Sequence, residues 1–225
     1  MSKNCIKGVV NQKYFNNPRV SFEIDKIVNE QDNPTKPADA LQSLVEEYDL
    51  RQSGKTQVAT TAGTYRKAKE KYFPQLKGSE ILDYGAGKGI ASRELGFDSL
   101  EPNPEGWTPD YTDASQVKKK YKGIISNAVL NVLPRNIRDT VAKDIGNKLA
   151  VGGKAFINVR AHKGDVDRAK NPKQYDDGII TTKGTFQKGF DKDEIVMYLQ
   201  SILGPNFKVE KSPLGTVGAV ITRLK

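Results

Sequence analysis

The feature that most constrains this chain is a glycine-rich turn at residues 85–89, directly after an apolar stretch at residues 80–84. Alternating glycines let the backbone turn sharply and approach a ligand closely, because glycine has no Cβ atom. The apolar stretch predicts a buried strand, and residues 88–95 predict a short helix. This order of strand, glycine turn and helix is typical of the ligand-binding edge of a Rossmann-like α/β domain.

The spacing of the glycines argues against two other nucleotide-binding loops. The dinucleotide fingerprint would place its third glycine at position 90, which is Ile90 here, so NAD is disfavoured. A P-loop continues Gly-Lys with Ser or Thr, whereas Lys88 is followed by Gly89. A nucleoside triphosphatase is therefore disfavoured as well.

Strand and helix signals alternate along the rest of the chain. Further strands are expected to end at Glu101 and to occupy residues 123–126 and 155–159. A helix with apolar residues every four positions is expected over residues 137–149, closed by the glycines at 152 and 153. Asp191 and Glu194 form a capping-box-like start for a last helix. This alternation predicts a mostly parallel sheet covered on both faces.

The two ends of the chain differ from its middle. Apolar stretches at residues 207–209 and 219–221 predict a C-terminal antiparallel hairpin. Residues 1–60 are Asn-rich and interrupted by Pro around one amphipathic stretch at residues 39–50, which predicts an N-terminal helical extension. The expected fold of residues 61–225 is a Rossmann-like, doubly wound α/β domain with a mostly parallel seven-stranded sheet.

A polar, turn-rich segment at residues 160–183 follows the strand expected at 155–159. It is too long for an idle connection and follows a strand end, where open α/β sheets bind ligands. We therefore expect it to form a mobile cover over the part of the ligand site where a substrate is accepted. The single histidine, His162, lies in this segment and could act as a general base, although a lone histidine in a lysine-rich loop is more often only solvated.

Residues 82–89 resemble the first motif of the class I S-adenosylmethionine-dependent methyltransferases, which commonly reads acid-x-Gly-x-Gly-x-Gly after an apolar strand. The resemblance implies S-adenosylmethionine as the cofactor. It also implies that the loop glycines approach the methionyl part and that the acid helps to hold its amino group. The residues assigned to this part of the site are Asp83, Tyr84, Gly85, Ala86 and Gly87.

Two carboxylates further along complete the expected cofactor site. Glu101 lies 18 residues (101 − 83) after Asp83, close to the usual spacing for a carboxylate that accepts from both ribose hydroxyls. The alternative is a solvated surface glutamate. Asp113 resembles the third site of the family, which accepts from the adenine amino group, but it could equally be an ordinary helix cap. The neighbouring Pro102 and Ala114 are included in the expected site.

The segment at residues 125–133 stands where the fourth motif of the family presents the methyl group. Asn127 and Asn131 could position the acceptor or the sulfonium end of the cofactor, or only serve a helix-entry turn. Together with His162, they are the candidate catalytic residues. The tetrapeptide at this place in DNA amino-methyltransferases contains Pro-Pro, which is absent here. Cytosine C5 methylation needs a Pro-Cys thiolate, and the only cysteine is the distant Cys5.

A finer likeness is to a group of methyltransferases found in phages and beside bacterial DNA-modification systems. It covers about residues 60–225 and is carried by residues 61–67, 83–89, 129–132 and 184–188. Members of the group are mostly named by motif rather than by substrate. The likeness therefore implies the cofactor and leaves the acceptor open.

Composition bears on the partners and the compartment. Lys and Arg number 36 against 27 Asp and Glu, and the net charge of +9 makes nucleic acid a plausible partner, although a basic balance can also serve only solubility. The lysines at 118–120 could contact phosphates or form a solvated helix face. We expect no membrane span, no secretory signal and no metal site, and a cytoplasmic location, that of the host if the chain is phage-encoded. The sequence carries no signal for an oligomeric state.

These observations predict an S-adenosylmethionine-dependent methyltransferase that acts on nucleic acid or a modified nucleobase. Within the same class, small-molecule and protein acceptors are the alternatives. A non-catalytic module that binds the cofactor or nucleic acid is the alternative from another class, because this fold hosts many functions.

Overall fold

The computed structural model describes residues 63–182 and 184–225. The expected extension at residues 1–60, with its amphipathic stretch at 39–50, lies outside the described residues, and so does Lys183. The division of the chain near residue 60 therefore stays a prediction.

The described part contains four α-helices and nine strands. The helices are α1 (Gly63–Tyr72), α2 (Ile90–Leu95), α3 (Arg135–Lys148) and α4 (Lys192–Leu203). The strands are β1 (Ile81–Tyr84), β2 (Asp98–Leu100), β3 (Tyr121–Asn127), β4 (Leu149–Val159), β5 (Lys173–Tyr175), β6 (Gly178–Ile180), β7 (Phe186–Gln187), β8 (Phe207–Ser212) and β9 (Val217–Arg223).

Six of these strands form the main sheet, in the order β2-β1-β3-β4-β9-β8. The pairs among β2, β1, β3 and β4 are parallel, whereas β9 pairs antiparallel with both β4 and β8. The mostly parallel α/β sheet and the terminal hairpin are therefore confirmed. Among the described residues the main sheet has six strands instead of the expected seven: beside β2, Tyr111 makes only an isolated parallel bridge to Leu100. Pro102, Pro104 and Pro109 interrupt this stretch, and proline cannot donate a ladder hydrogen bond.

The sheet is apolar on both faces because helices cover both. Leu82 and Ile124 belong to a core cluster with residues of α3 and α4. Their neighbours Ile81 and Ile125 belong to a second cluster with residues of α1. Successive side chains of a strand point to opposite faces, so near-continuous apolar strands predict this doubly wound arrangement.

The boundary between α3 and β4 differs from the sequence expectation. The helix ends at Lys148, and the strand already begins at Leu149, whose buried side chain continues the four-residue repeat of α3 only by coincidence. Gly152 and Gly153 therefore lie within β4 and do not close the helix. They coincide with a shift in the register between β3 and β4, where a Cβ atom at Gly153 would lie 3.0 Å from the carbonyl oxygen of Tyr121.

The segment expected to be a mobile cover contains folded structure. Within residues 160–182, β5 and β6 form a hairpin, and β6 also pairs with β7 to give a second, three-stranded sheet. Asp177 in the hairpin turn pairs with Arg138, which is buried in α3, and the neighbouring Asp176 accepts a hydrogen bond from the backbone N–H of Arg135 at 2.7 Å. The hairpin is thus anchored on α3, because it neutralises a buried cation and caps the start of the helix.

Candidate functional site

The carboxyl ends of β1, β2, β3 and β4 lie at one edge of the main sheet, because these strands are parallel. The glycine turn follows β1, Glu101 follows β2, and Asn127 ends β3. The strand order reverses at β1, and open α/β sheets bind ligands outside the carboxyl ends of the strands at such a point. The topology therefore brings the predicted residues Gly85, Gly87, Glu101 and Asn127 to one edge.

The glycine turn is held tightly by its surroundings. Gly85, Gly87 and Gly89 all have positive φ, between 59° and 80°. A Cβ atom at Gly85 would lie 2.4 Å from a methyl carbon of Val129, and one at Gly89 would lie 2.6 Å from the ring of Trp107. Backbone conformation and close packing thus both require glycine at these two positions.

Glu101 joins the end of β2 to the glycine turn. Its side chain is buried, and its Oε2 accepts a hydrogen bond from the N–H of Gly87 at 2.7 Å, while its Oε1 accepts from the N–H of Asn103 at 3.0 Å. Burial raises the pKa of this carboxyl, and the two backbone hydrogen bonds oppose the shift. Each carboxylate oxygen keeps capacity for a second donor. The neighbouring Pro102 is exposed.

Trp107 is a residue of this site that sequence reasoning missed. Its indole Nε1 donates a hydrogen bond to the carbonyl oxygen of Gly87 at 2.8 Å, and its ring packs against Gly89. The guanidinium carbon of Arg93 lies 5.3 Å from the ring centroid. The peptide groups of Gly87 are thus held on one side by Glu101 and on the other by Trp107. The available signal was that the only tryptophan of the chain stands six residues after Glu101.

Asp83 lies in the interior rather than at the surface of the edge. The carboxylate is fully buried, and its Oδ2 accepts a hydrogen bond from the Ser92 hydroxyl at 2.6 Å, while its Oδ1 has no hydrogen-bond partner in the described structure. Burial raises the pKa of Asp83 to about 7, although polar interactions with Ser92 and Tyr65 oppose the shift and the charge of Glu101 adds to it. Burial, and then the charge of Asp83, also raise the pKa of Tyr65 in α1. Sequence reasoning assigned no role to Tyr65 or Ser92.

The side chain of Tyr84 points into the core. Its hydroxyl donates a hydrogen bond to Asp144 of α3 at 2.7 Å, and its pKa is raised, first by burial and then by the charge of Asp144. Ala86 is also buried, and its N–H donates to the carbonyl oxygen of Leu100 at 3.0 Å. The backbone of these two residues belongs to the edge, while the Tyr84 side chain connects the sheet to α3 through its hydrogen bond to Asp144.

Asp113 occupies the position of a cap. It is exposed, and its Oδ1 accepts a hydrogen bond from the N–H of Ser115 at 2.7 Å, at the start of a short 3-10 helix formed by Ala114–Gln116. The structure thus shows the cap that was the alternative interpretation. The charge of Asp113 also contributes to the raised pKa of Tyr84. Its contact with adenine stays a prediction, as does that of Ala114.

The two asparagines after β3 differ in surroundings. The Oδ1 of Asn127 accepts a hydrogen bond from the Nδ2 of Asn158 in β4 at 2.7 Å. Asn131 is fully buried: its side-chain Nδ2 donates to the Oε1 of Gln187 at 3.2 Å, and its backbone carbonyl oxygen accepts from the N–H of Lys188 at 2.7 Å. Asn131 therefore connects β7 to the edge of the main sheet, and the candidate catalytic role of both asparagines stays a prediction.

His162 is exposed at the start of the segment after β4. Its backbone N–H donates to the carbonyl oxygen of Phe190 at 3.2 Å, and its Cα lies against Gly189, where an added Cβ atom would be only 2.4 Å away. No described contact joins its imidazole to the glycine turn or to Glu101. Its role as a general base stays a prediction.

The lysines at 118–120 lie at the opposite edge of the sheet, because they precede the first residue of β3. Lys119 pairs with Asp98 at 3.0 Å, and the ammonium group of Lys120 donates to the carbonyl oxygen of Asn147. This run is therefore separated from the glycine turn by the length of the strands. Among the described residues, no group of three or more His, Cys, Asp or Glu side chains could hold a metal ion, and no helix is long and apolar enough to span a membrane.

No protein-family model matches the sequence, and no curated protein matches it either. The fold is similar to that of a sugar N-methyltransferase from Streptoalloteichus, with 14% identity and a TM-score of 0.54 over 79% of this chain and 93% of that chain. An amino pentose methyltransferase from Micromonospora echinaspora, solved with S-adenosylmethionine bound, has 12% identity and a TM-score of 0.52 over 78% of this chain and 96% of that chain.

A third similar structure is the 1,6-didemethyltoxoflavin-N1-methyltransferase from Burkholderia thailandensis, solved with that compound and S-adenosylhomocysteine. It has 15% identity and a TM-score of 0.50 over 85% of this chain and 89% of that chain. At these identities the likeness shows a common fold, that of the class I S-adenosylmethionine-dependent methyltransferases. The names of the three proteins lend no support to the finer likeness with phage and DNA-modification methyltransferases.

Proposed function

We propose that this chain is an S-adenosylmethionine-dependent methyltransferase. The observation that carries the proposal is the link between Gly87 and Glu101, which joins the glycine turn after β1 to a carboxylate after β2 at the carboxyl edge of the sheet. This is where a nucleoside ligand of a doubly wound sheet binds. The similarity of the fold to a methyltransferase solved with S-adenosylmethionine supports the choice of cofactor.

The described residues fit this cofactor. Each carboxylate oxygen of Glu101 accepts one backbone N–H and can accept one further hydrogen bond, so the two oxygens together can serve two ribose hydroxyl donors. Gly87, whose peptide groups are held by Glu101 and Trp107, is proposed to bring its backbone close to the methionyl part. The buried carboxylate of Asp83 has no cationic partner among the described ion pairs, and a ligand ammonium group near it would favour its charged form. Asp113 is the proposed partner of the adenine amino group.

The cofactor supplies an electrophilic methyl group on its sulfonium sulfur, and the chain supplies alignment. Methyl transfer is an in-line displacement, so the protein needs to hold donor and acceptor in line and to exclude water. Asn127, at the end of β3, is proposed to orient the acceptor. The three-stranded sheet, which is joined to Asn131 by a hydrogen bond, is proposed to line one side of the acceptor site. A strong general base is not required when the acceptor atom has a free lone pair, so His162 has at most an auxiliary role.

For the acceptor we propose nucleic acid or a modified nucleobase, supported by the net charge of +9. A small-molecule acceptor is the second candidate, because the similar structures include a sugar N-methyltransferase and an amino pentose methyltransferase. Acceptor chemistry varies on one fold, so the fold alone does not decide between them.

The test is transfer of a labelled methyl group from S-adenosylmethionine into separate pools of DNA, RNA, protein and small metabolites. Label in DNA or RNA is the expected result at a limiting cofactor concentration, reduced with the Glu101→Ala variant and retained with the Glu105→Ala variant. Glu105 is exposed in the same loop and serves as the matched control. Label only in the metabolite pool would favour the second candidate. Cofactor binding without label in any pool would show a non-catalytic module.

A further inference from the structure

The positive charge of this chain is concentrated in one part of the sequence. Residues 1–60 contain eight Lys and Arg and eight Asp and Glu, so they are neutral overall. The whole excess of +9 therefore belongs to residues 61–225, which include the glycine turn and the main sheet. A general solubility effect would not require this concentration.

Within this part, the four aspartates of the segment 160–182 all bind groups of the protein itself. Asp165 pairs with Arg160 at 2.8 Å, and Asp167 accepts a hydrogen bond from the N–H of Gly164 at 2.8 Å. Asp176 and Asp177 turn toward α3, where they bind the backbone N–H of residue 135 and the buried guanidinium of residue 138. Three of the four aspartates thus have their charge offset by a cation or a helix start.

Four of the five Lys and Arg residues of the same segment have no carboxylate partner among the described residues; the fifth, Arg160, pairs with Asp165. Lys163, Arg168, Lys170 and Lys173 are all exposed, and none of them makes an ion pair with any residue of the described ranges 63–182 and 184–225. We call these four residues the basic face. Four exposed lysines elsewhere in the described residues provide a contrast, because each has a carboxylate within 3.0 Å: Lys119, Lys122, Lys208 and Lys211.

The basic face lies on the segment that leaves the carboxyl end of β4, the same edge of the sheet that holds the glycine turn. The hydrogen bond between Asn131 and Gln187 fixes the three-stranded sheet to this edge. Lys173 and Tyr175 are two residues apart in β5 and therefore point to the same face of that strand, with Tyr175 38% exposed. An exposed aromatic ring with a cation on the same face is a combination that binds single strands, by stacking on bases and by contact with phosphates.

From this arrangement we infer that the basic face binds the phosphate backbone of a nucleic acid strand and presents it to the methyl-transfer site. The inference deepens the proposed function and rests on it for the acceptor role. A small phosphorylated metabolite would be enclosed in a concave pocket, whereas exposed cations along a segment suit an extended polyanion that releases counterions.

The experiment compares two quadruple variants of equal net charge. The first replaces Lys163, Arg168, Lys170 and Lys173 by Gln, and the control replaces Lys119, Lys122, Lys208 and Lys211 by Gln. Both lower the charge from +9 to +5 (9 − 4). Binding of labelled single-stranded DNA and RNA of mixed sequence is measured by fluorescence anisotropy over a range of salt concentrations, and the fold of each variant is checked by circular dichroism.

The basic-face variant is expected to lose at least about tenfold in affinity for one of the two strands. The plot of log affinity against log salt concentration should become less steep. Its negative slope should decrease in magnitude by about 3, because each lost phosphate contact removes about 0.7 for a single strand. The control variant should keep most of the affinity. Equal losses in both variants, or no loss in the first, would overturn the inference, and so would competition by a mononucleotide as effective as that by the strand at equal phosphate concentration.

Calorimetry with S-adenosylmethionine on the same two variants separates this inference from the proposed function. Intact cofactor binding in the basic-face variant, together with lost strand binding, supports both. Strand binding that depends on the basic face in a protein that binds no cofactor would overturn the methyltransferase proposal and the acceptor role, but it would leave the phosphate-binding surface standing.

Discussion

The indole Nε1 of Trp107 donates a hydrogen bond to the carbonyl oxygen of Gly87 at 2.8 Å, and the N–H of the same glycine donates to Glu101 at 2.7 Å. The residues after β2 therefore hold the glycine turn by hydrogen bonds to both the N–H and the carbonyl oxygen of Gly87. A turn held in this way is ordered before a ligand arrives, and preorganisation reduces the entropy that binding costs.

Replacement of Trp107 by Phe tests the contribution of its hydrogen bond to Gly87. The variant keeps a ring against Gly89 but loses the hydrogen bond to Gly87, so we expect an increase of about threefold to tenfold in KM for S-adenosylmethionine, corresponding to about 1 kcal/mol for one hydrogen bond. The kcat value should stay close to that of the unchanged protein, because the observed contacts of Trp107 are with the glycine turn. A fall in kcat with an unchanged KM would contradict this role.

Much of this edge is predictable from the sequence because its signals are local. The glycine turn, the strand before it and the helix after it follow from neighbouring residues, and Glu101 follows from its distance to the turn. Trp107 is different, since its contact with Gly87 depends on how a Pro-rich loop folds back over 20 residues (107 − 87). Hydrophobic periodicity carries no information about such a contact.

The same limit explains the anchored hairpin and the misplaced helix end. Polarity and turn residues in 160–182 predict an irregular segment, but the pairing of Asp177 with Arg138 joins residues 39 positions apart. An arginine in an amphipathic helix is normally expected in solvent, so its burial was not readable from the sequence. Leu149 continued the helical repeat while belonging to β4, because apolar periodicity alone does not mark where a helix stops.

Gly85 is expected to tolerate no side chain. Gly85→Ala forces an alanine into a φ of +80° and brings its Cβ to 2.4 Å from Val129. Gly96→Ala is the matched control, because Gly96 has a φ of +67° but nothing within 4 Å of an added Cβ. Chemical denaturation should show a loss of about 1–2 kcal/mol for the control and at least about 1 kcal/mol more for Gly85→Ala.

Val129→Ala in the Gly85→Ala background should recover that excess, since it removes the methyl groups that clash. The recovery is measured as the coupling energy of a double-mutant cycle. Equal losses for Gly85→Ala and Gly96→Ala would show that the contact with Val129 does not constrain the turn.

Asp83→Asn should stabilise the unliganded protein at alkaline pH. Because burial raises the pKa of Asp83 from 3.8 to about 7, its contribution to stability is complete below the unfolded pKa and is lost as the pH rises through about 7. The variant has no charge to bury. Its free energy of unfolding relative to the unchanged protein should therefore rise between pH 4 and pH 8, by at most about 4 kcal/mol for a shift of about three units. Parallel stability curves for the two proteins would contradict the shift.

Asp177→Ala should destabilise the protein strongly, because it leaves the Arg138 guanidinium buried without its carboxylate. We expect a loss of about 3–5 kcal/mol in the free energy of unfolding. The control is Asp165→Ala, which breaks the more exposed pair with Arg160 and should cost at most about 1 kcal/mol. Arg138→Leu combined with Asp177→Ala should restore part of the loss. Similar small losses for both single variants would mean that the hairpin is not anchored by this pair.

The central claim is that the edge formed by the glycine turn and Glu101 binds S-adenosylmethionine, and isothermal titration calorimetry tests it most directly. The account predicts that the protein binds S-adenosylmethionine and S-adenosylhomocysteine but not NAD. It also predicts that Glu101→Ala weakens binding by about 1–3 kcal/mol while Glu105→Ala leaves it unchanged. Binding of NAD alone, or equal affinity for S-adenosylmethionine in the Glu101→Ala variant and the unchanged protein, would contradict the claim.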